Sequence, residues 1–161
     1  MIAKRTLVAS IVAVLFTALP IVPGAQSSLT NERPEHANLK ALPGSWAVQV
    51  STPTQGTFPA LATFTSDGAV ITSEASSFET AGHGNWVSTG DDEAAYTFVA
   101  IEGSPTGEFT GSLKVVATLR LDGRQKWSGP FKVDVFDADG NTVFSDRGTA
   151  KATRIRVERL D

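Results

Sequence analysis

The sequence predicts an all-β domain, eight antiparallel strands in up-and-down order closed into a barrel. Three observations predict it. The first is alternation. Phe109, Gly111, Leu113, Val115, Ala117, Leu119 and Leu121 are interleaved with Thr110, Ser112, Lys114, Val116, Thr118 and Arg120. A period of two means one buried face and one wet face. Asp122-Gly123 then turns the chain, because both residue types tolerate the backbone angles of a tight hairpin. The return strand sets Trp127, Gly129, Phe131, Val133 and Val135 against Lys126, Ser128, Lys132 and Asp134. A hairpin with one apolar side needs more sheet to cover it. The second observation is punctuation: short strand-like segments are separated by Gly and Asp turns, with no 3.6-residue stripe after residue 43. The third is loop length. Asp67-Gly68, residues 90–93 and Asp122-Gly123 are short, whereas residues 51–57, 75–84 and 102–107 are longer. In up-and-down order alternate loops fall at opposite ends, so one end is tight and the other is an open mouth.

Taken in order, the chain starts with an export signal over residues 1–27. Lys4 and Arg5 give a positive start, residues 7–19 an apolar run, and Ala25-Gln26-Ser27 a small-residue cleavage site; cleavage after Gly24 fits as well. The alternative is a membrane anchor, but the run is short for a span and broken by Pro20 and Pro23. Residues 28–43, which include His36, are polar and without periodic pattern, and read as a flexible arm with a short turn around 39–42. The barrel domain is residues 44–161. Its strands are expected at 46–50, 58–65, 69–74, 85–89 and 95–101, then the hairpin just described, then 142–157 after the Asp137-Ala138-Asp139-Gly140 turn.

Composition narrows the function classes. Loss of residues 1–27 removes Lys4 and Arg5 and leaves twelve basic against seventeen acidic residues, a net charge of −5. Nucleic acid is then excluded as a partner, since phosphate binding needs a basic face. The chain has no cysteine, so there is no disulfide, no thiolate metal site and no lipid attachment through a thiol. Zinc wants three or four His, Cys or carboxylate ligands, and the barrel region has His83 alone. Asp137, Asp139 and Asn141 have a calcium-like spacing but lie in a hairpin turn, where Asp, Asn and Gly are the usual residues. No nucleophile elbow, P-loop or dinucleotide fingerprint is present, and the expected cofactor is none.

Gly44-Ser45-Trp46 opens the first strand, and Arg154-Ile155-Arg156-Val157 ends the last. These residues resemble the Gly-x-Trp motif and late arginine of lipocalins and the wider calycin barrels. The resemblance implies that Trp46 sits at the closed end under an arginine, and that the barrel binds a small apolar molecule. The up-and-down order alone also brings the start of strand one to the end of strand eight. Either Arg154 or Arg156 then stacks on the indole, and Arg154 is preferred. The family's motif after its sixth strand has no counterpart at Leu121-Asp122-Gly123.

The candidate ligand-binding set is Phe64, His83, Trp86, Tyr96, Phe98, Trp127 and Phe131. Any one of the aromatics is accounted for by a filled core. Mixed with Ala60, Ala62, Ala100, Gly111, Ala117 and Gly129 on the same faces, they leave uneven space of the kind that holds a small molecule. His83, between two glycines in the longest mouth loop, is either a hydrogen-bonding group at the mouth or a histidine bonding its own turn. Asp146 shares the parity of Phe144, Gly148 and Ala150; inward it is the internal acid, but a bulge that turns it outward is the preferred reading.

Three readings follow. The leading one is an exported barrel, secreted or periplasmic, that binds a small hydrophobic or aromatic ligand without turnover. The second is a cofactor-independent cyclase, isomerase or dehydratase using His83, Tyr96 and Asp146, which requires the three to meet in one cavity. The third is an exported interaction module using its outer face. The mature protein is expected to have no membrane span, and the sequence leaves its oligomeric state open.

Overall fold

Eight antiparallel strands close into a barrel in the computed structural model, which describes residues 39–76 and 78–160. They are β1 (Gly44–Thr52), β2 (Gly56–Phe64), β3 (Ala69–Glu74), β4 (Gly82–Ser88), β5 (Glu93–Gly103), β6 (Phe109–Asp122), β7 (Lys126–Asp137) and β8 (Thr142–Arg154). Each pairs with its neighbour in sequence, and β8 returns to pair with β1, Trp46 standing opposite Arg154. The two-residue alternation decides which side chains fill the tube. Along β6, for example, Leu113, Val115, Ala117 and Leu119 are buried while Lys114, Val116, Thr118 and Arg120 face water. No helix is found among the described residues. The proposed export signal, most of the arm and His36 lie outside them.

Most strands begin or end a residue or more away from the sequence expectation, and four of these differences have a local reason. β4 begins at Gly82 rather than residue 85. Its two glycines mimic a loop in sequence, but they face inward and make room: a side chain on Gly82 would strike the ring of Phe98. β1 runs on to Thr52, pairing with Gly56, so the connection to β2 is only residues 53–55 and the mouth is less open there than expected. The β6–β7 turn takes in residues 123–125, with Gly123 in the left-handed region. It is longer than two residues because the carbonyls of Arg124 and Gln125 receive hydrogen bonds from Arg154. β8 stops at Arg154, where the following amide of Ile155 bonds the carbonyl of Ser45.

The tight end is sealed by a floor. Residues 39–43 pack across it. Leu39 and Leu42 are fully buried, and the turn between them is closed by the Leu42 amide on the Leu39 carbonyl at 2.9 Å. Trp46, 0 % exposed, donates its indole N–H to the Leu42 carbonyl at 3.0 Å. The Arg154 guanidinium lies 4.1 Å above the Trp46 ring and donates to the carbonyls of Pro43, Ala41 and Arg124. Gly44 is required where the chain enters β1. Its φ is +130°, and a β-carbon there would meet the Arg154 guanidinium at 2.4 Å.

Above the floor five rings interlock edge to face. Phe64 meets Tyr96 at 5.5 Å, Trp127 at 6.2 Å and Trp86 at 6.3 Å, and Trp127 also meets Trp46 and Tyr96 at 6.3 Å. Such pairs add about 0.5–1.5 kcal/mol each beyond the area they bury. The outer surface is mixed. Leu61, Ile71, Val99 and Ile101 are exposed on β2 to β5, while Lys114, Arg120, Lys126 and Lys132 line the outside of β6 and β7.

Candidate functional site

The floor cluster fills the lower barrel, and above it the interior is hollow. A cavity of about 460 Å³ opens at the mouth. Its lower wall is aromatic, with Tyr96 and Phe98 from β5 and Trp127 and Phe131 from β7, and Phe58 of β2 stands nearer the mouth. Val48, Val50, Leu113, Val115, Val133 and Ala150 complete the apolar surface. The space exists because bulky rings are set opposite glycines. Phe98 stands across from Gly84 and leans over Gly82, and Phe131 stands across from Gly148, whose absent side chain would meet its ring at 2.6 Å. Rings that lie flat on the wall leave the middle of the tube unfilled.

Three tryptophans face the interior, and they differ in one respect. Trp46 and Trp86 give their indole N–H groups to backbone carbonyls, of Leu42 at 3.0 Å and of Thr65 at 2.9 Å. Trp127, 2 % exposed, has no acceptor for its N–H. A buried donor left without a partner costs about 1–3 kcal/mol. Tyr96, 8 % exposed, likewise has no hydrogen-bond partner for its hydroxyl among the described residues. Burial pushes its ionisation well above the ordinary tyrosine value, so it is a neutral donor and acceptor.

The rim is acidic. Glu74 ends β3, Glu102 lies near the end of β5, and Glu79 belongs to the segment between β3 and β4. That segment is held on β5 by the Gly103 amide on the Phe78 carbonyl at 2.7 Å and the Thr80 amide on the Ile101 carbonyl at 2.9 Å, which sets Glu79 across from Glu102. Burial raises the Glu74 carboxyl. Burial, and then the charges of Glu74 and Glu102, push Glu79 up to about 7. Asp146 stands across the mouth. It accepts from the Thr54 hydroxyl and from the Arg147 amide at 2.7 Å, and these bonds hold its carboxyl below the usual range.

Glu79 gives a pH-dependent stability. A carboxyl with a folded value near 7 and an unfolded value near 4.5 favours the native state below 4.5, and that contribution is lost as pH rises through 7. The group is partly exposed, so solvent screening reduces the effect to about 1 kcal/mol. Glu79→Gln is therefore expected to unfold at higher urea than the wild type at about pH 8, by about 1 kcal/mol, and to match it near about pH 4.5. Equal midpoints at both values would exclude this placement of Glu79.

The residues singled out in the sequence divide into three groups. Tyr96, Phe98, Trp127 and Phe131 line the cavity, and so does Asp146. The preferred outward turn of Asp146 is corrected: the bulge on β8 falls at Val143, between Thr142 and Phe144, so the inward parity survives at Asp146. Phe64 and Trp86 lie beneath, in the floor cluster. His83 is a strand residue near the mouth end of β4 rather than a loop residue, and its side chain is exposed on the outer face between Ile71 and Val99. His83, Tyr96 and Asp146 therefore do not share one cavity.

Sequence reading missed the three glutamates. Two carried a signal. Glu74 shares the parity of Val70 and Thr72, and Glu102 that of Tyr96, Phe98 and Ala100. Glu79 lies in an aperiodic segment and carried none. Asp137, Asp139 and Asn141 form a turn, in which the Asp137 carboxylate accepts from the Asp139 amide at 3.0 Å and the Asn141 amide at 2.8 Å.

No family model matches the chain, and no curated protein matches it. Among solved structures, a redesigned beta barrel is similar, with a TM-score of 0.46 and 20 % identity over 72 % of this chain and 93 % of that one.

Proposed function

We propose that this chain is an exported barrel that holds a small hydrophobic or aromatic molecule above its aromatic floor, without chemical turnover. The observation that carries the reading is the cavity of about 460 Å³, walled by rings and aliphatic side chains. Small-molecule sites are commonly about 300–1,000 Å³, mostly apolar, with few polar groups to orient the ligand. The Gly-x-Trp start and the arginine over its indole resemble lipocalins, whose barrels bind such molecules. Export rests on the basic start, apolar run and small-residue site of residues 1–27. The enzymatic reading loses its acid–base set, since His83 faces outward.

The test is a fluorescence titration with a panel of apolar and aromatic ligands. Trp127 lies in the cavity wall, whereas Trp46 and Trp86 do not line it. A ligand that enters is expected to change the emission with a Kd of about 1–100 μM, and Trp127→Phe is expected to remove most of the change. If no member of the panel alters the emission or raises the unfolding temperature, the reading is wrong.

A further inference from the structure

The charged groups facing the cavity all have the same sign. Glu74 comes from β3, Glu79 from the β3–β4 connection, Glu102 from β5 and Asp146 from β8. The other strands add no charged group, and no Lys, Arg or His lines the space. Asp146 is satisfied by Thr54 and the Arg147 amide. The three glutamates are not: the two ion pairs among the described residues join Arg120 to Asp92 and Lys132 to Asp134, both away from the cavity. Only burial and neighbouring negative charge act on the carboxyls of Glu74 and Glu79, with no hydrogen-bond donor among the causes. Three adjacent carboxylates at a partly desolvated rim repel one another, and a positive charge brought from outside relieves that repulsion. The described residues hold no group of acids and histidines arranged for a metal ion. Phe58 lines the cavity near the mouth, Tyr96 and Phe98 line it below the rim, and the Tyr96 hydroxyl has no partner among the described residues.

We propose that the ligand is a hydrophobic amine: its protonated nitrogen sits among Glu74, Glu79 and Glu102, and its apolar or aromatic body descends onto Tyr96, Phe98, Trp127 and Phe131. The rim supplies charge-assisted hydrogen bonds and the neighbouring rings a cation–π surface. The Tyr96 hydroxyl, which has no partner among the described residues, is left to a polar atom of the ligand. A fatty acid or other anion is disfavoured, because its head would lie among four carboxylates. This inference rests on the cavity being a binding site, and it fixes the chemical class of what enters.

Three probes with one naphthalene body separate the two claims: naphthylethylamine, naphthylethanol and naphthylacetate, titrated calorimetrically into the purified protein. At about pH 8 the amine is expected to bind at least about tenfold tighter than the alcohol, and the acetate weakest. The double variant Glu79→Gln, Glu102→Gln is expected to bring the amine to the level of the alcohol without moving the alcohol. Glu93→Gln, exposed at the opposite end, leaves the order intact. At about pH 5.5 the amine stays charged while Glu79 takes up a proton, so the preference narrows. If the alcohol binds as tightly as the amine, or the acetate binds best, the amine inference falls and the cavity reading stands. If none of the three binds, both fall.

Discussion

Gly84→Ala is expected to abolish the folded barrel. Gly84 faces inward on β4 directly across from Phe98 on β5. A β-carbon at this position would lie 1.8 Å from the Thr97 carbonyl oxygen and 2.6 Å from the Phe98 α-carbon. Both obstacles are backbone, so no side-chain rotation relieves them. The only escape is to part β4 from β5, which breaks the ladder from His83–Val99 to Ser88–Ala94 and opens the tube. Overpacking a core costs about 1–3 kcal/mol when side chains can shift. Here they cannot, and the expected loss exceeds about 4 kcal/mol, a large share of the stability of a domain this size. Urea unfolding followed by far-ultraviolet circular dichroism measures it. Gly90→Ala is the control, because a β-carbon there would meet only Glu93, at an ordinary 3.5 Å; its expected change is within about 0.5 kcal/mol. A Gly84→Ala protein within about 1 kcal/mol of the wild type would mean that β4 and β5 are not as close as described.

The second large effect is expected at the floor. Arg154→Ala removes three guanidinium hydrogen bonds and a cation stacked 4.1 Å over Trp46. The carbonyls of Ala41 and Pro43, which the arginine ties to the barrel, lose their donor, and residues 39–43 lose their anchor. About 3 kcal/mol is the expected loss of stability, from the unmet acceptors together with the stacking. Trp46, wholly buried in the wild type, should then shift its emission to the red while the protein is still folded. Arg154→Lys should recover less than half of the loss. An ammonium is a point charge and cannot span three carbonyls in one plane as the fork of a guanidinium does. If Arg154→Ala costs under about 1 kcal/mol and leaves the emission unchanged, the floor is held by something else.

The barrel was legible in the sequence because a period of two is a strong signal where one face is buried and the other wet. Phe109 to Leu121 and Trp127 to Val135 state it plainly, and strand order follows from the turns between them. The error at His83 has a definite origin. Glycine in a sequence suggests a break in a strand, whereas Gly82 and Gly84 are strand residues whose missing side chains let Phe98 lie against the wall. Moving the start of β4 back by three residues carries His83 from a loop to the outer face. The hollow interior was only half legible. The aromatics were visible, but whether five of them interlock as Phe64, Trp86, Tyr96, Trp127 and Trp46 do, or crowd the whole tube, depends on their heights along it. Height follows from register, and register is not written in alternation. The acidic rim escaped for another reason. Charged residues on an inward parity read as exceptions to a pattern, although at a mouth they continue it.

The pairing of β1 with β8 has a consequence for how the chain reaches this form. Every other pair in the sheet joins neighbours along the chain, so each closes a short loop at small entropic cost. The β1–β8 pair spans nearly the whole domain and is the single contact of high sequence separation on which ring closure depends. A dense local set of interactions stands at that seam: Trp46 opposite Arg154, the stacked cation, the three carbonyls it gathers, and the Ile155 amide on Ser45. A meander without that clasp would be a curled ribbon with two bare edges, open to pairing with other chains.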